Sequence, residues 1–442
     1  MGESTKTPIF TISEKKSIYS LSGILFFRMF SIFLLLPVFS VLAMDLAGAT
    51  PFLIGVAFGA YGLTQGLLQL PFGMWSDKVG RKKVIVFGLT LFIAGNVMAA
   101  FADSIQWMIV ARFLQGTGAI SSTVFALIAD LTRPEVRTRA NAALGASIGI
   151  AFAFAFGAAP FFGEWLGLHG MFLMIALLSV ASLVLVMTTV PNPAANPILP
   201  QKTSFWNMAK IVWNVPTLRT ISWGGFVCGA GLSSTFFLIP MILVEHGYER
   251  AEMWKIYLPM MLAGAVAMIL AAIFAEVRNR FREVMLFGIV LLFISLISMG
   301  IGQEQDRLLW FVVALFFFFM GFNVFEPIFP SLVTRSTTAE TKGTAMGVYN
   351  FAQFIGHFFG ATVAGALYVN NFFIFLLLLA LAEIWFFYLT LSFPNPEKRK
   401  AKSEEQQIVE TSIPEAKSEV LISNINLKSV LTKPERNNGI NN

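Results

Sequence analysis

Long uninterrupted apolar runs set the strongest limit on how this chain can fold. The run LLWFVVALFFFFMGF begins at Leu308, and no charged residue follows until Glu326. Of the 442 residues, 56% are hydrophobic and 13% are charged, whereas about a quarter are charged in a typical soluble domain. So much apolar side chain needs lipid as its solvent, and about 20 apolar residues in a helix cross the hydrocarbon layer.

Twelve segments have the length and composition of membrane spans. Their residues do not alternate between apolar and polar as barrel strands do, so α-helices are the remaining way to cross the bilayer. The predicted spans are residues 21–44, 51–75, 84–102, 105–130, 140–163, 171–190, 220–244, 254–275, 284–302, 308–333, 343–369 and 372–393. We therefore predict an all-α polytopic membrane protein.

The distribution of basic residues predicts the orientation of these spans. Lysine and arginine gather in the even-numbered loops and the two tails, whereas the odd-numbered loops hold only Arg250, Lys255 and Arg307. The positive-inside rule then places both termini in the cytoplasm. Residues 1–20 are polar, and no secretory signal is recognised, so the first apolar run is interpreted as a permanent span.

The chain divides into two halves of six spans at its longest polar, proline-bearing break. VIVFG at 84–88 recurs as VMLFG at 284–288, and the motif W-x3-A-x6-G ends at Gly118 and again at Gly321. Both repeats have an offset of about 200 residues, which indicates two repeated bundles, as in many secondary transporters. The predicted units are an N-terminal segment, a first bundle, a linker, a second bundle and a polar disordered tail at 1–20, 21–190, 191–219, 220–393 and 394–442.

The densest cluster of charge lies in the turn between spans two and three, FGMWSDKVGRKKV. An acid at the start of a helix caps free amides and interacts favourably with the helix dipole. A glycine removes the side chain where a helix approaches closely or the chain turns tightly. The following basic residues can reach Asp130, which closes span four.

This turn resembles the signature of the major facilitator superfamily, Gly-x3-Asp-(Arg/Lys)-x-Gly-x-(Arg/Lys)-(Arg/Lys). In that family the network latches the two halves on the cytoplasmic side and favours the outward-open state. The residues that match are Gly73, Asp77, Lys78, Gly80, Arg81, Lys82 and Lys83, with Asp130 as the partner acid. The counterpart in the second half, AEVRNRFREV at 275–284, lacks the glycines and the matching aspartate, so we expect an asymmetric latch.

Further segments resemble the same family, and the resemblance covers residues 18–393. Segments at 26–41, 59–83, 325–335 and 342–356 are similar to the YajR-type branch, which is allied to proton-coupled multidrug efflux carriers. Span five resembles the antiporter segment, with Gly145, Gly149 and Pro160 at matching positions. Its ending is Ala-Pro instead of Gly-Pro, and several glycines are replaced, which weakens the link to antiport. The resemblance implies an integral protein of a bacterial inner membrane.

Ionisable residues inside spans are functional candidates because burying them in lipid is costly. We predict Glu326 as the proton carrier, since a carboxyl in a low-dielectric cavity can bind and release a proton; the alternatives are a fixed salt bridge or a cap contact near the inner end of span ten. Arg28 and Arg112 are interpreted as permanent cavity charges, since arginine stays protonated. His357 is equally consistent with packing or with ligand binding, and Glu383 is interpreted as structural or as an interfacial contact.

Uncharged polar residues complete the predicted substrate cavity. These candidates are Gln65, Gln69, Gln115, Asn323, Asn350 and Gln353. Aromatic runs such as Phe316–Phe319 are typical of lipid-facing surfaces, although periodicity does not decide which rings point inward.

These residues favour a proton-coupled secondary transporter that exports small amphipathic or cationic compounds. Uptake of a small, anionic metabolite is the alternative, with Arg28 and Arg112 holding the anion. A receptor or membrane-embedded enzyme is disfavoured, since no nucleotide-binding loop, metal cluster or nucleophile–base pair is recognised. We expect protons, a small-molecule substrate and lipid as partners, a monomer, no cofactor, no metal and no nucleic acid.

Overall fold

The computed structural model describes residues 10–191, 210, 213–337 and 341–393. The first half, as named here, contains α1 (Ile12–Leu35), α2 (Phe39–Leu42), α3 (Pro51–Val79), α4 (Arg81–Ala100), α5 (Ile105–Gly116), α6 (Ser121–Leu131) and α7 (Pro134–Thr189). The second half contains α8 (Pro216–Glu245), α9 (Trp254–Val277), α10 (Phe281–Gln305), α11 (Leu308–Arg335), α12 (Lys342–Leu367) and α13 (Phe372–Leu391). These described ranges contain no β-strand, and the predicted all-α class is confirmed.

Twelve crossings can be traced through these helices. Ten helices are long and apolar enough to span a bilayer, counting α5 with α6 as one. Gly167 takes a non-helical conformation with φ 61° and divides α7 into two spans. α12 is the remaining crossing; it is less apolar than the others and lies between other helices. The predicted tail at 394–442 and most of the linker lie outside the described residues, so the predicted unit boundaries stay predictions.

α1 begins earlier than the apolar run predicts. The Thr11 hydroxyl accepts a hydrogen bond from the backbone N–H of Glu14, and the Glu14 carboxylate accepts one from the backbone N–H of Thr11, so a capping box starts the helix at Ile12. The Glu14 carboxylate also accepts hydrogen bonds from the Arg133 guanidinium, the shortest at 2.9 Å. Local capping, which hydropathy does not detect, therefore extends α1 beyond the span.

The two ends of the helix bundle are named here after glycines in their loops. The Gly80 end carries the turn between α3 and α4, and the Gly48 end is opposite. At the Gly48 end, Ala47 accepts a hydrogen bond from the N–H of Ile105 at 3.1 Å. Arg250 of the second half lies 3.8 Å from Asp45 of the first half at the same end. The first contact joins two loops of the first half, and the second connects the two halves.

A seam of glycines brings the backbones of the two halves together. α3 presents Gly55, Gly59, Gly62 and Gly66 on one face towards α12. A Cβ added at Gly59 would lie 2.7 Å from the Cα of Phe358 on α12, which leaves no room for any side chain. Small residues permit this backbone approach in membrane helices. α12 therefore packs closely against the first half along most of its length.

Candidate functional site

Four aromatic rings fill the middle of the interface between the halves. Phe156 of α7 lies 4.9 Å from Phe236 of α8 and 6.3 Å from Phe319 of α11, measured between ring centroids. Tyr257 of α9 lies 6.4 Å from Phe156 and 6.1 Å from Phe236. All four are fully buried. These separations suit favourable edge-to-face packing, and we call the cluster the aromatic plug.

Glu326 lies directly beyond this plug, towards the Gly80 end. It follows Phe319 by seven residues on α11, which is two helical turns, so both side chains share one face. Phe319 is completely buried, but Glu326 is exposed. It also lies close enough to Cys228 of α8 and Tyr349 of α12 to interact with them electrostatically. The carboxyl therefore faces an open space among the central helices.

The antiporter-like segment of α7 lies opposite this carboxyl. Gly149 precedes Phe156 by seven residues and Gly145 precedes it by eleven, so all three share the face that meets the second half. A Cβ added at either glycine would meet no heavy atom of the described residues within 4 Å. Pro160, on the other side of the plug, is buried. A cleft therefore opens between the halves on the Gly80 side of the plug, with Glu326 at its closed end.

The predicted cavity residues of the second half occupy different surroundings. Asn323 donates a hydrogen bond to the backbone oxygen of Phe319 at 2.8 Å and packs against Gly264. His357 lies in the seam, with its Cβ next to Gly62 of α3. Asn350 and Gln353 are half-buried on α12. Only Glu326 among the charged candidates of this half is exposed, and the binding roles of the others stay predictions.

The predicted polar residues of the first half form a buried network. Arg28, which is 1% exposed, donates to the Gln65 side chain at 3.0 Å, and Gln65 donates to Gln69 at 3.2 Å. Tyr61 also donates to Gln65, at 3.3 Å. The Arg28 guanidinium lies 4.9 Å from the centre of the Phe92 ring. Its Nε and Nη1 groups have no hydrogen-bond partner in the part of the chain that the structure describes.

Arg112 sits in a second network beside the first. It is 7% exposed, donates to the Gln115 side chain and to the backbone oxygen of Ala57, and lies 5.1 Å from the Tyr61 ring. Gln115 in turn donates to Asn96 at 2.7 Å. These amides stabilise two buried cations inside the first half. Whether Gln65, Gln69 and Gln115 also bind substrate stays a prediction.

The charged turn at the Gly80 end is held together by Arg81. Its guanidinium pairs with Asp77 and, at 3.2 Å, with Asp130 at the end of α6. Gly80 has φ 109°, which side chains rarely adopt. Lys82 donates to the backbone oxygen of Val190 at 2.7 Å, which satisfies a carbonyl at the end of α7.

The other members of the predicted latch lie around this centre. Lys78 and Lys83 are exposed, and Gly73 leaves a gap of 3.7 Å between an added Cβ and the Ser122 hydroxyl. The turn thus connects α3, α4, α6 and α7 within the first half.

The second half carries a related contact that sequence comparison did not detect. Arg335, at the end of α11, lies 3.8 Å from Glu276 and 5.1 Å from the centre of the Phe281 ring. Asn279 lies in the equivalent turn and has φ 50°. Asparagine tolerates this left-handed conformation, which explains why no glycine is needed there.

Several residues of the site were missed from the sequence. The chain contains many aromatic residues, and no local motif distinguishes the plug residues Phe156, Tyr257 and Phe319 from the others. Tyr61 links the two arginine networks, and Asn96 extends the one around Arg112. A buried asparagine in an apolar span was the available signal for Asn96, since such a group needs a hydrogen-bond partner.

Twelve crossings, two repeated halves and a central cleft closed at one end define a membrane protein with the architecture of secondary transporters. The sequence profile of the Major Facilitator Superfamily matches residues 21–361. The chain therefore belongs to this superfamily of membrane transporters.

Individual relatives agree with that assignment. The chain is similar to the inner membrane transport protein YajR of Escherichia coli (strain K12), with 39% identity over 363 residues, 82% of this chain and 79% of that protein. Identity to multidrug resistance protein 1 of Bacillus subtilis (strain 168) is 24%, over 71% of this chain and 80% of that protein. The solved structure of a D-xylose-proton symporter matches with a TM-score of 0.69 and 14% identity, over 87% of this chain and 98% of that one. At 14% identity, the similarity to the symporter shows a shared fold only.

Proposed function

We propose that this chain is a proton-coupled exporter of small amphipathic or cationic compounds. The observation that carries the proposal is the position of Glu326, an exposed carboxyl at the closed end of the cleft, two turns beyond the aromatic plug. A carboxylate there attracts a cation, and the same carboxyl neutralised by a proton releases it. Substrate and proton then compete for one group, which is a simple basis for exchange transport.

The placement of the buried charges favours a cationic substrate over an anionic one. Arg28 and Arg112 are enclosed by amides, carbonyls and rings inside the first half, away from the cleft. Glu326 is the exposed member of the charged candidates inside the spans. The aromatic plug above it offers flat apolar surfaces, and aromatic faces also attract organic cations.

The transport cycle follows from the shape of the cleft. If the Gly80 end is cytoplasmic, as the loop charges predict, the structure is open to the cytoplasm and closed outwards by the plug and the Gly48-end contacts. The substrate enters from the cytoplasm and pairs with Glu326. The plug then opens and the Gly80 end closes, which exposes the bound substrate to the outside. There a proton binds Glu326 and displaces the substrate. Coupling requires that the substrate binds the two states differently.

We assign the Gly80 turn the role of favouring the outward-open state. The Arg81 pairs with Asp77 and Asp130 keep the ends of α3, α4 and α6 in one arrangement. That arrangement presents a rigid surface against which the second half closes. Partly exposed ion pairs contribute modestly, and a bias of about 1 kcal/mol already changes a population ratio about fivefold.

The decisive experiment measures transport in proteoliposomes with an imposed proton gradient. We expect Glu326→Gln to lose proton-driven flux of cationic dyes by about tenfold or more while retaining the fold. Glu304, an exposed acid in the last turns of α10, provides the matched control Glu304→Gln. Full gradient-driven flux in Glu326→Gln would refute the assignment of the proton carrier.

Two further assays separate the alternatives. Everted vesicles that accumulate a dye when acidified inside indicate export, whereas accumulation of anions by intact cells indicates uptake through a site formed by the arginines. Saturable binding with no flux under any gradient would instead indicate a receptor.

A further inference from the structure

A second polar cavity lies inside the second half, away from the cleft. It lies between α8, α10, α11 and α13 and has a cavity volume of about 20 Å³. Most of its wall is apolar. Its polar groups are the hydroxyls of Ser234, Thr235 and Ser295 and the carboxyl of Glu383. The space suits a single water molecule or a small ion.

Glu383 is the unusual member of this cavity. It is 5% exposed, and its Oε2 atom has no hydrogen-bond partner within the described residues. It lies eleven residues from Phe372, which begins α13 at the Gly48 end. At 1.5 Å per residue this is about 17 Å, near the middle of the membrane. A bare carboxylate at that depth is costly, so its charge must be cancelled.

The two serine hydroxyls of this cavity do not supply a donor for that oxygen. Ser295 donates its proton to the backbone oxygen of Ala314 at 2.7 Å, and Ser234 donates to that of Gly231 at 3.1 Å. Both hydroxyl oxygens therefore present lone pairs. A cavity lined by acceptors is incomplete without a proton or a cation.

No cation from a neighbouring helix cancels the charge of Glu383 in the described part of the protein. Its titratable neighbour is the Cys228 thiol on α8, which interacts electrostatically with both Glu383 and Glu326. Tyr349 on α12 interacts with Glu326 and Cys228. The elements packed around this region thus contribute acids and hydroxyls, and α10 contributes the uncharged Ser295.

We infer that this cavity is a binding site for a small monovalent cation, either a proton or Na⁺, held by the carboxyl of Glu383. The hydroxyl oxygens of Ser234, Thr235 and Ser295 complete the site. It is separate from the cleft, and the inference stands whether or not Glu326 couples transport to protons.

A carbodiimide that partitions into lipid tests the site directly, because it modifies protonated carboxyls in apolar surroundings. The full chain in vesicles is treated with dicyclohexylcarbodiimide, and the adduct is mapped by mass spectrometry. If a proton is the ligand, labelling of Glu383 falls about tenfold per pH unit above its midpoint. If Na⁺ is the ligand, adding it at constant pH suppresses labelling, whereas the same concentration of choline does not.

Infrared difference spectra give a second readout that needs no reagent access. The wild-type spectrum minus that of Glu383→Gln should contain a protonated carboxyl band that disappears as pH rises, or a carboxylate band that shifts with Na⁺. Glu304→Gln is the matched control and should leave these bands in place. The inference is overturned if neither pH nor Na⁺ changes the Glu383 signal in either experiment.

Discussion

The two halves share a backbone plan but differ in the chemistry placed on it. In the first half, a Cβ added at Gly118 would lie 2.6 Å from the backbone oxygen of Gly88. In the second half, Gly321 approaches Gly288 in the same way, at 3.0 Å. Gly80 and Asn279 occupy equivalent turns, and both have positive φ. Close approaches and turns are thus retained where the surrounding side chains have changed.

The ion pairs at these turns have opposite polarity. In the first half the base, Arg81, lies in the turn and the acid, Asp130, ends the fourth span. In the second half the acid, Glu276, lies at the turn and the base, Arg335, ends the equivalent span. What the repeat preserves is an attraction between two helix ends, and either residue can supply either charge.

The two halves also differ in the charged groups that they hold inside the membrane. The first half encloses two guanidiniums supported by glutamines and an asparagine. The second half contains the carboxyls of Glu326 and Glu383 with serine and threonine hydroxyls. The first half therefore contains arginines, which stay protonated, whereas the second half contains carboxyls, which can bind and release a proton.

The largest effect is expected at the close approach of the glycines. Gly118→Ala forces its Cβ against a backbone oxygen and should cost about 3 kcal/mol, whereas Gly321→Ala should cost about 1 kcal/mol because the gap is wider. A thiol-reactive dye reports unfolding through Cys228, the single cysteine, which is buried. Equal losses for the two variants would show that the halves pack equivalently here.

The next effect concerns the turns. Gly80→Asn should cost about 1–2 kcal/mol, because φ 109° with ψ 134° lies outside the left-handed region that asparagine tolerates. Asn279→Gly should be neutral or slightly stabilising, because φ 50° suits either residue. The thiol-dye assay of unfolding through Cys228 measures the stability of both variants. A harmless Gly80→Asn would contradict the strain argued for that turn.

Exchanging the acid and the base of the first-half ion pair tests whether its polarity matters. Asp130→Arg places two cations together and should reduce stability by about 1 kcal/mol, with a larger loss at low salt. The double variant with Arg81→Glu reverses the pair, as in the second half, and should recover only part of this loss because Asp77 then lies beside a second acid. Flux and unfolding temperature are measured at two ionic strengths, and absence of any recovery would exclude interchangeable polarity.

The smallest effect is expected for Glu276→Gln. Its pair with Arg335 spans 3.8 Å and both side chains are exposed, so the change should stay within about 0.5 kcal/mol. Arg335 also retains its contact with the Phe281 ring. Flux and unfolding temperature close to those of Glu304→Gln are expected; a loss as large as that of Asp130→Arg would mean that the second-half contact is the stronger one.

The fold was predictable from the sequence because span length and residue spacing are local properties. The spans, the repeat at Gly118 and Gly321, and the family signature at the Gly80 turn all belong to this kind of evidence. The early start of α1 was not predicted, since it depends on capping by Thr11 and on the contact of Glu14 with Arg133.

The site was less predictable because it depends on which faces meet. Phe156 and Phe319 come from different halves, and their rings meet only after both bundles have packed. The amides of Gln65 and Gln115 were expected along a cavity, but each lies beside an arginine that needs a partner. Glu383, interpreted as structural, is unusual because one of its oxygens has no hydrogen-bond partner among the residues that the structure describes.

The glycine seam between α3 and α12 has a mechanical consequence. Interlocked large side chains would resist sliding, because each must leave its pocket before the helices can shift. The face of α3 carries glycines, and α12 meets part of it with its own backbone at Phe358 and Ala361, so few side chains must be displaced when one helix shifts against the other. Spin labels on either side of the seam would measure this shift. We expect the two halves of the transporter to move relative to each other about this seam.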